Sequence, residues 1–328
     1  MDWTVQVSDT WRMSRRAVLL FVALGVAWGI PYMLIKVAVE SLSPAELVLA
    51  RTALAAALLL PVAVARKAVA PALRHWRWVV MFTIVEIAVP WVTLGAAEQR
   101  LSSSTTGLLL AAVPLVGLAV AFVSGRAERL TGSAWLGLAL GVAGVAALVG
   151  LDVGSSDLGA VAALGVTVVG YAIGPAILAR KLGALPGLGV ITVALTLTSL
   201  GYVPVVLIGD GVPSGLPPTN VVVSVVLLAT VCTAIAFLLL FALVGEVGPV
   251  RATTITYINP AVAVVAGAVV LDERVTAVTV VGFTLVVAGS YLVNRRPRRD
   301  GALRERTDTP TVGTAEPVVS TATVRPDC

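Results

Sequence analysis

Ten long apolar runs dominate this sequence, beginning near Ala17, Pro44, Trp76, Ser102, Ser133, Asp157, Gly187, Val221, Val250 and Thr276, the last closing near Val293. A helix needs about 20 mostly apolar residues to cross roughly 30 Å of hydrocarbon. Residues 17–293 allow each run fewer than 28 residues, loops included, so no soluble domain fits between them. Transmembrane β-strands would alternate polar and apolar residues over about 10 positions; an unbroken run such as Ala261 to Leu271 does not. Of the 328 residues, 58% are apolar or aromatic and 12% charged, against about 25% charged in soluble chains. That leaves too little polar side chain to cover a water-facing surface. The sequence predicts an all-α polytopic membrane protein with ten transmembrane helices.

The same scarcity limits the chemistry. Cys232 lies in an apolar run and Cys328 is the last residue, which argues against a disulfide, and the single His75 stands beside Arg74 and Arg77 at a membrane edge. A metal site needs three or four His, Cys or carboxylate ligands together, and a His-based triad needs partners that this sequence does not gather. No metal or other cofactor is expected. The Gly-rich stretches lack the Gly-x4-Gly-Lys-Ser/Thr pattern of a nucleotide-binding loop. The chain therefore reads as neither an enzyme nor an ATPase. Its net charge of +5 is spread over loop ends, as a topology signal and an attraction to anionic lipid, with no nucleic-acid partner implied.

Orientation follows from Lys and Arg in the short loops. With the N-terminus in the cytoplasm, the inner segments collect Arg12, Arg15 and Arg16; Arg66, Lys67, Arg74 and Arg77; Arg126 and Arg129; Arg180 and Lys181; Arg251; and Arg295, Arg296, Arg298 and Arg299. Only Lys36, Arg100 and Arg274 fall outside. Both termini are expected in the cytoplasm, in a multi-pass inner-membrane protein. The basic start resembles a signal sequence, but the run that follows exceeds the usual 7–15 residues and has no clean cleavage site, so it reads as a retained helix. Residues 1–16 form a cytoplasmic segment, and residues 294–328, rich in Pro, Thr, Arg and Val without periodicity, read as a disordered cytoplasmic tail.

The chain also repeats itself. Glu128-Arg129-Leu130-Thr131 returns 145 residues later as Glu273-Arg274-Val275-Thr276. Pro31 and Pro175 lie 144 apart, Pro61 and Pro204 143, Pro114 and Pro260 146. Trp28-Gly29-Ile30-Pro31 leads to Lys36 as Tyr171-Ala172-Ile173-Gly174-Pro175 leads to Arg180. Two five-helix repeats are expected, residues 17–151 and 157–293. Because five is odd, the second enters the membrane inverted. Inverted repeats around a central cavity suit a secondary transporter, in which the halves exchange conformations and expose one site alternately to each side.

These residues carry a resemblance. Trp28-Gly29 through Lys36, Arg51, and Pro114 followed by Glu128-Arg129-Leu130-Thr131 resemble the first repeat of EamA-type members of the drug/metabolite transporter superfamily. Gly248-Pro249-Val250-Arg251-Ala252, Pro260 and Glu273-Arg274 resemble the second. The resemblance covers about residues 17–293. It implies a ten-helix inverted-repeat fold, a central cavity, and export of small metabolites or drugs. The sequence departs from the family at Ala127 and Asp272, where glycine usually precedes the glutamate.

Ionisable groups inside a bilayer cost about 2.5–3.5 kcal/mol each by insertion scales, so each needs a reason. Arg51 lies roughly 10 Å deep in the second run and Glu86 roughly 12 Å deep in the third, at 1.5 Å per residue. They are expected either to form an ion pair that holds the bundle or to take part in coupling. Glu86 is a candidate substrate or proton group, with Thr83, Pro90 and Thr93 along the same helix stripe. Trp28, Trp91, Tyr171, Tyr257 and Asn259 are further substrate-binding candidates. Pro31, Pro90, Pro114, Pro175 and Pro260 are candidate kinks or gates. Glu128 and Glu273 are expected to start the fifth and tenth helices through favourable charge at helix N-termini, while Trp76, Trp78 and Trp135 anchor the interface.

The partners expected are a small-molecule substrate, the lipid bilayer and a proton as coupling ion; oligomeric state is not readable from small-residue faces such as Gly137-x3-Gly141. Alternatives to gradient-driven export are an uptake permease or exchanger and, from a different class, a non-transporting sensor or lipid-handling protein.

Overall fold

Pro31 shows how this sequence shapes its helices. It has no N–H to donate, so the first helix stops at Gly29 and a second piece starts at Pro31. The computed structural model describes residues 14–123, 132–149, 157–209, 215–248, 255 and 258–294. Glu128-Arg129, Arg251, Tyr257, residues 1–13 and the tail lie outside the described residues.

The helices are α1 (Arg15–Gly29 and Pro31–Ala38), α2 (Pro44–Ala65), α3 (Trp76–Glu98), α4 (Ser103–Leu110 and Val113–Val123), α5 (Gly132–Ala147), α6 (Leu158–Leu182), α7 (Gly187–Gly209), α8 (Thr219–Val247), α9 (Asn259–Val270) and α10 (Ala277–Asn294). A short helix, Val69–Arg74, joins α2 to α3. Seven helices, α1 to α4 and α6 to α8, are long and apolar enough to cross a membrane, and α5, α9 and α10 are shorter apolar helices. No strand occurs among the described residues. Large apolar side chains such as Leu19, Phe122, Trp135 and Val269 stay exposed, as a lipid-facing surface requires.

The pairing of helices is regular. α5 runs along α10, α2 along α7, and α4 along α9; α3 packs on α6 and α1 on α8. Exchanging α1–α5 for α6–α10 maps every one of these pairs onto a pair in the same set. A methyl built on Gly137 would lie 2.6 Å from the Gly289 carbonyl, so α5 and α10 touch backbone to backbone, the approach that small residues permit between membrane helices.

Three of the helices, α3, α6 and α8, change pitch among the described residues. Thr83–Ala88 in α3 and Thr230–Ile235 in α8 are π-helical, and the same 147-residue offset separates Thr83 from Thr230 and Glu86 from Thr233. In α3 the cause is local: a proline ring at position 90 would clash with the carbonyl four residues back. The Val89 N–H bonds to the Ile84 carbonyl instead, five residues back, as in a π-bulge. Pro175 lies within α6, just before another π-helical turn, Leu178–Leu182. Pro114 follows a break at Ala111–Ala112, and Pro260 stands at the start of α9, where it needs no kink.

Candidate functional site

Ser43 and Glu46 form a reciprocal capping box at the start of α2, with Ser43 N–H to Glu46 at 2.7 Å and Glu46 N–H to Ser43 at 3.1 Å. That start sets the register that turns Arg51 inward, 7% exposed, beside Thr52 and Ala55. The Arg51 guanidinium carbon lies 3.8 Å from the centre of the Trp91 ring, a cation–π contact. Its Nε–H donates to the Thr233 hydroxyl oxygen at 3.0 Å. Thr233 sends its own hydroxyl hydrogen to the Leu228 carbonyl at 2.7 Å, which leaves its oxygen free to accept. The two terminal amino groups of Arg51 make no hydrogen bond to described protein groups. They stand within electrostatic reach of Cys232, Tyr171, Tyr32 and the buried carboxylate of Glu98.

Of the two readings open for Arg51 and Glu86, an ion pair or a part in coupling, no ion pair between them occurs among the described residues. Glu86 sits in the π-helical turn of α3, and the extra residue in that turn directs it at α6. Its carboxylate lies against Gly174 so closely that a side chain there would collide with it. One carboxylate oxygen, Oε2, is buried without a hydrogen-bond partner. Among the described residues the one ion pair joins Arg16 to Glu246 at 3.2 Å, between the start of α1 and the end of α8.

Trp91 is buried beneath Arg51, and Tyr171 packs against the same cluster, within electrostatic reach of Tyr32, Glu86 and Arg51. Thr93 and Thr167 exchange a hydroxyl hydrogen bond of 2.8 Å, and Thr167 also donates to the Pro90 carbonyl at 3.1 Å. The polar stripe of α3 is thereby tied to α6. Thr83 bonds back to the Val79 carbonyl at 2.7 Å. Trp28 is not brought to this group: it meets Phe237 edge-on at 5.9 Å, in a cluster with Leu24, Ala27 and Ala236. Asn259 opens α9, its Oδ1 buried and unpartnered, its carbonyl facing Gly29 of α1. Tyr257 lies outside the described residues.

Glu273 does not start the tenth helix. Thr276 caps α10 by accepting the Thr279 N–H at 3.1 Å. The Glu273 carboxylate instead reaches across to the N-terminus of α4, accepting from Ser103 N–H at 2.7 Å, Ser104 N–H at 2.9 Å and the Ser104 hydroxyl at 2.5 Å. It passes over Gly267 of α9, where any side chain would collide with it. The preceding Asp272 has a φ of +52°, the left-handed conformation that glycine adopts without strain.

Glu98 and Thr233 are further residues that the sequence does not single out, and Lys36 stands out there only as an external charge and a repeat landmark. Lys36 Nζ donates to the main-chain carbonyls of Glu98 at 2.7 Å and Leu101 at 2.9 Å. Glu98 is fully buried, and both its carboxylate oxygens lack a partner. Thr233 was detectable only through the repeat, as the counterpart of Glu86.

The structure thus sets a buried arginine and an acid packed against a glycine inside a bundle of apolar helices. The model of the EamA-like transporter family matches this chain twice, over residues 15–150 and 158–295, and the chain belongs to that family. It is 28% identical over 285 residues to the uncharacterized inner membrane transporter YedA of Escherichia coli strain K12, covering 84% of this chain and 92% of the relative. The YedA proteins of E. coli O6:H1 and O157:H7 match equally. A solved crystal structure with 20% identity shares the fold at a TM-score of 0.60, over 84% of this chain and 95% of the other.

Proposed function

We propose that this protein is a gradient-driven secondary transporter of the inner membrane that exports a small metabolite or drug by alternating access. In this reading all ten apolar helices span the bilayer, the five-helix halves are inverted, and both termini are cytoplasmic. The closed set of helix pairs under exchange of the halves and the matching π-helical turns support it.

The observation that carries the substrate reading is Arg51. A fork held flat on Trp91 and fixed through Nε by Thr233, with two amino groups free, suits a carboxylate or another acceptor-rich group. Glu86, on α3 and turned toward α6 with one carboxylate oxygen unpartnered, suits a donor or cationic group of the same solute, or a coupling proton. Tyr171 and Trp91 supply the remaining wall. Because Arg51 and Glu86 do not neutralise each other, each is left to a ligand.

Flux into proteoliposomes loaded with a cell extract tests this reading. Saturable movement of a solute, abolished in Arg51→Ala, supports it; no saturable movement of any solute contradicts it. A strain lacking the protein that accumulates the solute internally supports export, and one that needs the solute for growth contradicts it.

A further inference from the structure

Six exposed cations gather at one end of the bundle, where the chain turns from α2 into α3 and from α6 into α7. Arg66 and Lys67 follow α2, Arg74 ends the short helix Val69–Arg74, and Arg77 lies in the first turn of α3. Arg180 and Lys181 lie in the π-helical turn that closes α6. Packing sets these pieces side by side: the short helix rests on α7, and the start of α3 rests on the end of α6. Gly189 of α7 lies against the Ala68 carbonyl, so no side chain fits between α7 and the α2–α3 connection.

No acid balances this charge. Residues 61–85 and 158–209 contain neither Asp nor Glu. Among the described residues none of the six cations forms an ion pair or donates a hydrogen bond. Two are nevertheless braced. The Lys181 ammonium lies 4.6 Å from the centre of the Trp78 ring, and the Arg77 guanidinium carbon 5.6 Å from that of Trp76. A cation on an aromatic face keeps its N–H groups for an acceptor. The Lys181–Trp78 contact also ties the cations of α6 to those of α3. An orientation signal needs only the number of charges, not this bracing. The patch borders exposed apolar side chains, Val64 of α2, Leu73 of the short helix, and Trp76 and Met81 of α3. A soluble anion would use the cations and leave that surface bare, whereas a phospholipid uses both.

We infer that this patch binds an anionic phospholipid carrying two phosphates. The cations fall into two groups, Arg66, Lys67, Arg74 and Arg77 on one side and Arg180 and Lys181 on the other, one for each phosphate. The acyl chains lie along Val64, Leu73 and Met81. Basic pockets between membrane helices bind headgroups of this kind. Because α2 and α3 belong to the first family match and α6 to the second, the bound lipid bridges the two repeats. Binding of this lipid is independent of the direction in which any solute moves.

Native mass spectrometry of the full-length protein in neutral detergent tests it. The protein is titrated with cardiolipin, which has two phosphates, with phosphatidylglycerol, which has one, and with inorganic pyrophosphate. One cardiolipin per chain is expected, held about tenfold or more tightly than phosphatidylglycerol. Arg77→Gln combined with Lys181→Gln should weaken it about thirtyfold, roughly fivefold for each cation removed. Arg100→Gln, at the opposite end of α3, should leave it unchanged. Should the double variant fail to fold, Arg74→Gln with Arg180→Gln removes two exposed cations without touching either tryptophan contact, and the same loss is expected. Cardiolipin bound no more tightly than phosphatidylglycerol, pyrophosphate bound as tightly as cardiolipin, or an equal loss in Arg100→Gln would overturn the inference.

Discussion

Arg51 lies over the face of Trp91, its guanidinium carbon 3.8 Å from the ring centre, so the side chain that crosses from α2 is braced by α3 rather than paired with that helix's acid. This bracing makes Lys a poor substitute, since Lys offers neither a planar stack nor a fork. Arg51→Lys is expected to lower solute flux about tenfold or more, and Trp91→Leu to do the same while Trp91→Phe loses less. Proteoliposome flux measures each; equal flux in Arg51→Lys and wild type would remove the fork from the account.

Thr233 is the acceptor for the Arg51 Nε–H at 3.0 Å. Thr233→Val keeps the shape and leaves that donor unpaired in a buried site, at a cost of about 1–3 kcal/mol. Thermal unfolding in detergent should show a lower midpoint. In an Arg51→Met background, Thr233→Val should cost much less, because the unpaired donor is gone.

Gly174 leaves room for the Glu86 carboxylate. Gly174→Ala should destabilise the protein by about 1–3 kcal/mol through overpacking. The loss should shrink when combined with Glu86→Ala, which vacates the space. Unfolding midpoints of the two single variants and the double variant decide it; additive losses would mean that the two residues do not meet.

Glu273 satisfies two N–H groups and one hydroxyl of α4. Glu273→Ala should cost about 1.5–3 kcal/mol, the range for a hydrogen bond to a charged group, with Glu273→Gln losing less. Gly267→Val should reproduce the loss by blocking the path of the side chain. The unfolding midpoint is again the readout.

The helical class and the duplication were legible in the sequence because apolar runs and recurring prolines are local or periodic signals. The inward position of Arg51 was legible too, since a charge in an apolar run must be buried or paired. Its partner was not. Counting 1.5 Å per residue assumes an unbroken α-helix, and the π-helical turn at Thr83–Ala88 redirects Glu86 toward α6. Glu273 was read as a local helix start because sequence shows only its own neighbours; its partners lie 170 and 169 residues away. The partners of Lys36 and the burial of Glu98 were not legible for a related reason. Both stand at helix ends, where a charge looks solvated until another helix is packed over it.

Thr93 and Thr167 bond at 2.8 Å between α3 and α6. A double-mutant cycle of Thr93→Val and Thr167→Val should return a coupling of about 0.5–1.5 kcal/mol in unfolding free energy. A coupling of zero would mean that the α3–α6 contact rests on the close approach at Gly174 instead.

Export of a small solute along a path that includes Arg51, as proposed above, has a direct readout in the culture medium. Untargeted metabolite profiling of the medium tests it most directly, comparing cells that overproduce the protein, cells that overproduce Arg51→Ala at equal membrane abundance, and cells with empty vector. One solute or a few related ones, bearing a carboxylate or similar acceptor, should be enriched in the medium of the first culture alone. Identical profiles in all three cultures, or equal enrichment with Arg51→Ala, would contradict it.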